Sequence, residues 1–379
     1  MNGDNCKVSV ICITYNQDEY LPKAIESIVS QKTSFKFEII VRNDASTDET
    51  TLVLESLKKK YPDILYIINN EENLFSKGVD FFAETIYRYA NGEYIAICEG
   101  DDYWTDEFKL QSQFDEMERN PQSDMCACRT VMVSEDGKHV LGEIRPKEKN
   151  CVLTAEDVIY GGGMYLATAS LFFRKSMYDH MMEFEKIRSL DYVYQMKGAL
   201  RGGICYIDRP MAAYRRYSKS SVTVQIVGDD ASMRHQCEQE KEILRTLDEE
   251  TGGNYHEVIT KRLEDYSISY YDQLAERKDE IIKLLDKENT NIYIGGMGPR
   301  GRNLEHFLQD EKITICGVCD ITDNKVGQRT ANGNNICACD DVLKNADLIL
   351  ASVNGAYDYL KKQEPRAAVI NMHEFMPRS

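Results

Sequence analysis

Glu99, Asp101 and Asp102 place three carboxylates within four residues, in the run E-G-D-D-Y-W-T-D that ends at Asp106. Acids crowded this closely repel one another unless protons or a cation intervene. A hard divalent ion such as Mg²⁺ or Mn²⁺, held by one or two carboxylates plus the oxygens of a phosphorylated ligand, is the usual resolution. The bland alternative is a solvated acidic turn that opens the next helix, expected from Phe108. The context favours chemistry. Tyr94–Cys98 is a short apolar run with the composition of a buried parallel strand. The acids therefore leave the sheet at a strand's carboxyl end, where ligands of open α/β sheets sit.

Other elements must deliver partners to that edge. Lys7–Thr14 is expected as the first strand, with Tyr15 and Asn16 beginning the loop beyond it. Tyr20–Gln31 repeats apolar residues at helical spacing. Phe37–Arg42 is a second strand, which brings Asn43 and Asp44 to the same edge. Ser46 and Glu49 fit a capping box that opens a helix to Tyr61. Ile64–Ile68 is a third strand, and Val79–Ala90 a helix leading into the acidic strand. This alternation implies a parallel, helix-covered sheet and a nucleotide-binding α/β domain. Lys77, in the loop Glu71–Gly78, is placed to reach a phosphate, although an exposed lysine is commonly only solvated.

Three stretches together resemble family 2 glycosyltransferases of the GT-A fold. They are V-S-V-I-C-I-T-Y-N at Val8–Asn16, E-I-I-V-R-N-D-A-S-T-D at Glu38–Asp48, and the E-G-D-D-Y-W-T-D run, in the right order at ordinary spacing. The resemblance spans residues 7 to 220. It implies that Thr14, Tyr15 and Asp44 hold the base of a nucleotide-sugar donor, and that Asp101 and Asp102 lie against the donor's diphosphate end. It implies Mn²⁺ or Mg²⁺ resting on Asp101, Glu99, the diphosphate and water. The chemistry is reasonable, because a carboxylate accepts from a base N–H and an aromatic ring can stack on the base. Asn43 stands where the family often has a second acid, and is left out of the binding set. The family's general base opens the helix after the acceptor-side segment; here that residue is Asp191, which as an acid in a first helical turn also suits the helix dipole. The Y-R-x-H that often closes the family's domain is here Tyr214-Arg215-Arg216-Tyr217, and tyrosine is a poor ligand for these metals.

Between these motifs, Asp124–Val133 reads as a strand, Glu135–Lys138 as a hairpin turn, Thr154–Asp157 as a helix start and Ala167–Arg174 as a strand. Beyond Gly228 the sequence is charged and helical in period. Two helices, Asp230–Glu249 and Tyr255–Lys287, are expected around a break at Thr251–Gly253, bracing the molecule or forming an oligomer interface. The strand Asn291–Ile294 then enters G-x-G-x-x-G at Gly296, Gly298 and Gly301, with Asp320 ending the next strand. That pattern marks a second nucleotide site or a Rossmann-like module that serves packing, with residues enough for one mononucleotide-binding half.

The chain of 379 residues carries a net charge of −17, which argues against nucleic acid as a partner. No apolar stretch reaches membrane-spanning length and the start does not resemble a signal peptide, so a cytoplasmic protein is expected, with peripheral membrane association through a partner left open. The twelve cysteines lie mostly in apolar runs, as reduced core thiols do. Cys316-x2-Cys319 and Cys337-x-Cys339 approach zinc-site spacing, but residues three apart on a strand face opposite sides.

The expected architecture is α/β: a GT-A domain over 1–225, a helical connector over 226–289 and a small Rossmann-like domain over 290–379. The expected reaction moves a sugar from a nucleotide diphosphate sugar, by family analogy a UDP-sugar, to a hydroxyl of a glycan, lipid-linked sugar or protein, with inversion. A metal-dependent nucleotidyltransferase could use the same carboxylates but would carry a phosphate-cradling Gly/Lys/Arg loop near the amino terminus, which Val8–Asn16 lacks. A non-catalytic nucleotide-sugar sensor is a third reading, suited by Asn43 and Tyr217.

Overall fold

The computed structural model describes residues 6–79, 81–187, 191–216, 218, 230–267, 270–285, 290–320 and 326–372. They fall into two compact units, Met1–Lys138 with Glu143–Ser221 and Gln236–Arg262, and His139–Gly142 with Val222–His235 and Leu263–Ser379.

In the first unit, β1 (Cys6–Thr14), β2 (Lys36–Asn43), β3 (Leu65–Asn69) and β4 (Tyr94–Ile97) run parallel in the order β3-β2-β1-β4. The helices α1 (Leu21–Val29), α2 (Thr50–Lys60) and α3 (Phe81–Tyr89) provide the crossovers. Val8, Val10 and Cys12 share one face of β1 by strand alternation, and bury with Leu21, Ile25 and Ile28 at helical spacing on α1. Every residue of β4 is buried, as a strand covered on both faces must be.

The chain continues through β5 (Tyr103–Trp104), α4 (Lys109–Arg119), β6 (Met125–Val133), β7 (Val140–Ile144), β8 (Cys151–Leu153), α5 (Ala155–Gly161), β9 (Phe172–Arg174), α6 (Asp191–Leu200) and β10 (Ile204–Arg215). The sheet extends from β4 as β4-β9-β6-β10-β5. Here β9 lies antiparallel between β4 and β6, β10 runs parallel to β6, and β5 and β8 pair antiparallel with β10. A parallel half thus joins a mixed half, and the acids after β4 sit at the seam.

Three local expectations are corrected. Ser46 does not cap α2; its hydroxyl donates to Asn43 Oδ1 at 2.6 Å and accepts from the Asn16 N–H at 3.0 Å, while Asp48 Oδ1 takes the Thr50 N–H at 3.0 Å. The two-residue strand β5 went unforeseen because nothing so short carries a periodic signal. Ala167–Arg174 is a strand only from Phe172, after a 3-10 turn at Thr168–Ser170.

The second unit contains β11 (Ile292–Gly295), β12 (Gly317–Cys319), β13 (Ile336–Cys337), β14 (Leu348–Ala351) and β15 (Ala368–Asn371), all parallel in the order β13-β12-β11-β14-β15. Five strands with a reversal beside β11 exceed the single mononucleotide-binding half expected; short strands and loops economise on residues. Within the expected helix Tyr255–Lys287 the described helical stretches are His256–Ser267, Tyr270–Glu276 and Lys278–Leu285, a turn at Arg277 parting the last two. The last two bury Leu274 and Ile281 against Leu304 and Phe307 of the helix Pro299–Asp310.

At Gly301, a Cβ would lie 1.9 Å from the Gly296 carbonyl oxygen, whereas at Gly298 it would meet nothing within 4 Å. Gly301→Ala is therefore expected to destabilise this unit by about 1–3 kcal/mol, the usual cost of overpacking, and Gly298→Ala by less. Hydrogen exchange of the β11 and β14 amides in the full chain measures both.

Candidate active site

The site is built on the carboxyl ends of β1, β2 and β4. Gly100 is pinned under the first loop: a Cβ there would lie 2.4 Å from Gln17 Oε1 and 2.7 Å from Thr14 Oγ1. Only glycine lets the acidic turn approach β1 so closely. Thr14 donates to Gln17 Oε1 at 2.9 Å, and that same Gln17 oxygen lies against Gly100. Tyr15 is half-buried beside them.

Arg215, at the end of β10, clamps the acidic turn. Its backbone N–H donates to Asp102 Oδ1 at 2.8 Å and its Nε–H to the Asp101 carbonyl at 2.7 Å, and its guanidinium lies over the Tyr20 ring, 4.7 Å from the centroid. Ser218 donates to Asp101 Oδ2 at 2.6 Å. Asp102 is 2% exposed, and its Oδ2 is buried with no hydrogen-bond partner. On the far side, Thr168 donates to Asp191 Oδ2. Helix α6 behind Asp191 is fixed by Gln195, which donates to the Leu166 and Gly163 carbonyls at 3.0 and 3.2 Å, and by the buried ion pair of Lys197 with Glu185 at 2.7 Å. Asp191 keeps solvent contact at its surface while protein crowds its carboxyl.

The four acids repel one another's ionisation. Burial pushes Glu99 well above the ordinary range, and the negative charges of Asp191, Asp101 and Asp102 push it further. Burial and then Asp101 raise Asp102 strongly. Burial raises Asp101 and Asp191, opposed by the hydroxyls of Ser218 and Thr168 respectively. A cluster whose charge is this poorly compensated, with an orphaned buried carboxylate oxygen, suits a hard cation. Among the described residues no three His, Cys, Asp or Glu side chains converge as a complete metal site. Protein carboxylates would thus supply part of a coordination shell, leaving room for phosphate oxygens and water.

The raised Glu99 has a consequence for stability. Between the ordinary glutamate value of 4.5 and its raised folded value, the folded state binds more protons than the unfolded one, so this group's contribution falls as pH rises. Glu99→Gln removes that penalty. The metal-free variant is expected to unfold at about the same temperature as the parent at pH 4, and to gain on it progressively as pH rises to 8. A gap that is widest at pH 4 would contradict the crowding of these acids.

The residues expected at a base are more heavily engaged than the sequence suggested. Asp44 Oδ1 accepts from Asn70 at 2.6 Å and the Leu74 N–H at 2.8 Å, and its Oδ2 from the Phe75 N–H at 3.0 Å, so the carboxylate shapes the loop 70–75 and keeps a lone pair on Oδ2. Asn43 is spent on framing, donating to Thr51 and Asn69 and accepting from Ser46. Lys77 pairs with Glu72 at 2.5 Å on the surface. Gln17, Thr168, Arg215 and Ser218 were not singled out from sequence. Arg215 lay within the Tyr214–Tyr217 motif, but nothing marked it as the clamp of the acidic turn; Tyr217 is outside the described residues.

In the second unit, Gly296, Gly298 and Gly301 surround the end of β11 at the reversal of strand order. Asp320 Oδ2 accepts from the Met297 N–H at 3.2 Å, bracing the loop, and the Arg300 guanidinium lies over the Tyr270 ring at 5.5 Å. Of the four clustered-looking cysteines, Cys319 is buried and Cys316 exposed, and among the described residues no cluster of three His, Cys, Asp or Glu could hold a zinc ion there.

Comparison with known proteins agrees with this geometry. The chain is 31% identical to an uncharacterised protein of Mycobacterium tuberculosis over 212 residues, 56% of this chain and 59% of that one, so it spans about three-fifths of this relative's length. It is 34% identical over 113 residues to the Escherichia coli UDP-Glc:alpha-D-GlcNAc-diphosphoundecaprenol beta-1,3-glucosyltransferase WfaP, covering 30% of this chain and 42% of that one. Among solved structures, Staphylococcus aureus TarS 1–349 superposes with a TM-score of 0.50 at 20% identity, covering 74% of this chain and 79% of that one, a likeness of fold. The family model "Glycosyl transferase family 2" matches residues 9–218, more than half of the chain and the whole of the carboxylate site. A GT-A sheet with its acids at the seam, matched over that span, places this protein in glycosyl transferase family 2.

Proposed function

We propose that the protein moves a sugar from a UDP-sugar to an acceptor hydroxyl with inversion, supported by Mn²⁺ or Mg²⁺. The observation that carries the reading is the meeting of Asp191, from α6, with Glu99, Asp101 and Asp102 from the turn after β4. Two groups of acids from separate segments lie close enough for the charge of Asp191 to raise Glu99 and Asp102, and their environments divide the work.

Asp101 and Glu99 would hold the cation, whose chemistry is to neutralise charge on the departing diphosphate. Asp102 fixes the turn through Arg215. Thr14, Tyr15 and Asp44 surround the base, with the free lone pair of Asp44 Oδ2 available to a base N–H. Lys77 is free to turn to a phosphate, because its exposed pair with Glu72 is worth only about 0–1 kcal/mol. Asp191, with one oxygen held by Thr168, takes the proton of the attacking hydroxyl.

UDP-glucose and a diphosphoundecaprenol-linked GlcNAc, named for the Escherichia coli relative, are the first donor and acceptor to try, followed by other glycans and proteins. A lipid-linked acceptor would bring the protein to a membrane surface; no described helix is long and apolar enough to cross one. Nuclear magnetic resonance of the product's anomeric proton decides the stereochemistry. A product that keeps the donor's configuration, or donor binding without any turnover across acceptors, would overturn this reading.

A further inference from the structure

We infer that Arg42 is a positioning residue for recognition of the donor's base, acting through Asn70 on Asp44, an inference that rests on the donor reading above. Arg42 is the penultimate residue of β2, and its side chain is 6% exposed. Its Nε–H donates to Asn70 Oδ1 at 3.0 Å and its Nη1 to Thr85 Oγ1 at 2.9 Å, while Nη2 pairs with Glu84 Oε2 at 2.9 Å. Glu84 and Thr85 belong to α3, so one guanidinium ties the end of β2 to that helix and to Asn70. Asn70 is fixed from two further directions. Its Nδ2 donates to Asp44 Oδ1 at 2.6 Å, and its backbone N–H donates to the Asn43 carbonyl at 2.9 Å.

A guanidinium can only donate, so it must face the amide oxygen of Asn70, and this turns the amide N–H₂ toward Asp44. Without Arg42 the amide is free to flip, and its oxygen would then face a carboxylate. Asp44 is 1% exposed, and among the described residues its carboxylate takes only neutral donors, the Asn70 amide and the Leu74 and Phe75 N–H groups. The cation of Arg42 stands one amide away, paired with Glu84. It therefore aims the Asp44 carboxylate without neutralising it, which leaves the charge for a base N–H. Uracil carries such an N–H at N3. Cytosine has a bare ring nitrogen in the same place and would set lone pair against lone pair. The position of the carboxylate is what tells the two bases apart, and Arg42 sets that position at one remove.

Calorimetric titration of the full chain, in Mn²⁺, with UDP, CDP and pyrophosphate reads this directly. The parent should bind UDP at least about tenfold more tightly than CDP, the low end of what a hydrogen bond to a charged group is worth. Arg42→Lys keeps a charge beside Glu84, but an ammonium cannot span three partners as a planar fork does. Asn70→Asp keeps the bond from Arg42 and removes the donor to Asp44. Each should shrink the UDP-to-CDP ratio at least about threefold, the scale of coupling within one hydrogen-bond network. The double variant should shrink it no further than the larger single change, because both break one chain. Pyrophosphate has no base, so its binding should not change in either variant. Asn70 is only half-buried, and its variant carries the test if Arg42→Lys does not fold. A parent that binds UDP and CDP alike, a folded variant whose ratio is unchanged, or a variant that loses pyrophosphate in step with UDP overturns the inference and leaves the donor reading standing. Failure of the parent to bind UDP with Mn²⁺ overturns the donor reading and this inference with it.

Discussion

Asp191→Asn is expected to lose about 10²- to 10⁴-fold in turnover, the usual cost of removing a positioned base, while binding UDP and Mn²⁺ nearly as before. Inversion is one displacement, with the acceptor hydroxyl arriving opposite the departing diphosphate and losing its proton as the bond forms. In the proposed reaction the acids after β4 cannot easily serve, because the cation and diphosphate would engage them on the leaving side. Asp191 comes from α6, and Thr168 fixes one of its oxygens. The substitution should leave the fold intact, since α6 is anchored by Gln195 and Lys197 rather than by Asp191. Burial raises Asp191 above the ordinary aspartate range, and a base works only when ionised. The acidic limb of the parent's pH–rate profile should therefore lie above that range, and the variant's residual rate should lack it. Full turnover in a folded Asn variant sinks the assignment.

Asp101→Asn should cost at least about a thousandfold, because a cation at a leaving group is worth several kcal/mol and each 1.4 kcal/mol is tenfold. Asparagine nearly matches the shape that Ser218 holds, so the loss reports charge rather than packing. It should also remove most of the Mn²⁺-dependent rise in melting temperature that UDP gives the parent. Glu99→Gln should do the same only in part. A folded Asp101 variant with unchanged turnover would remove this residue from the site.

The parallel half of the fold was legible because its strands and helices are long enough to show their periods, and because its acids end a strand. The β4 acids stood out as candidates from their place at a strand's end, and Asp191, Thr14, Tyr15 and Asp44 from the family resemblance; their roles are those proposed above. What sequence did not convey is how the site is held. Gln17, Thr168, Arg215 and Ser218 act through contacts between segments up to 117 positions apart, and no local pattern encodes such a contact. Ser46 shows the converse error: a capping-box spacing was present, but the hydroxyl found a better partner in Asn43, already fixed by β2. The mixed half was harder to read because β5 and β9 have two and three residues.

Trp104 is the sole tryptophan of the chain. Its indole N–H donates to the Ala169 carbonyl at 3.0 Å, and the buried Lys109 ammonium lies 4.3 Å from its ring centroid. It stands two residues beyond Asp102 and touches the turn that carries Thr168. All tryptophan fluorescence therefore arises between the acids after β4 and the turn that carries Thr168, shielded from solvent by burial. The molecule carries its own optical gauge there: paramagnetic Mn²⁺ at Asp101 should quench it, diamagnetic Mg²⁺ should quench it far less, and stopped-flow emission can time the order in which cation, donor and acceptor arrive, without a label.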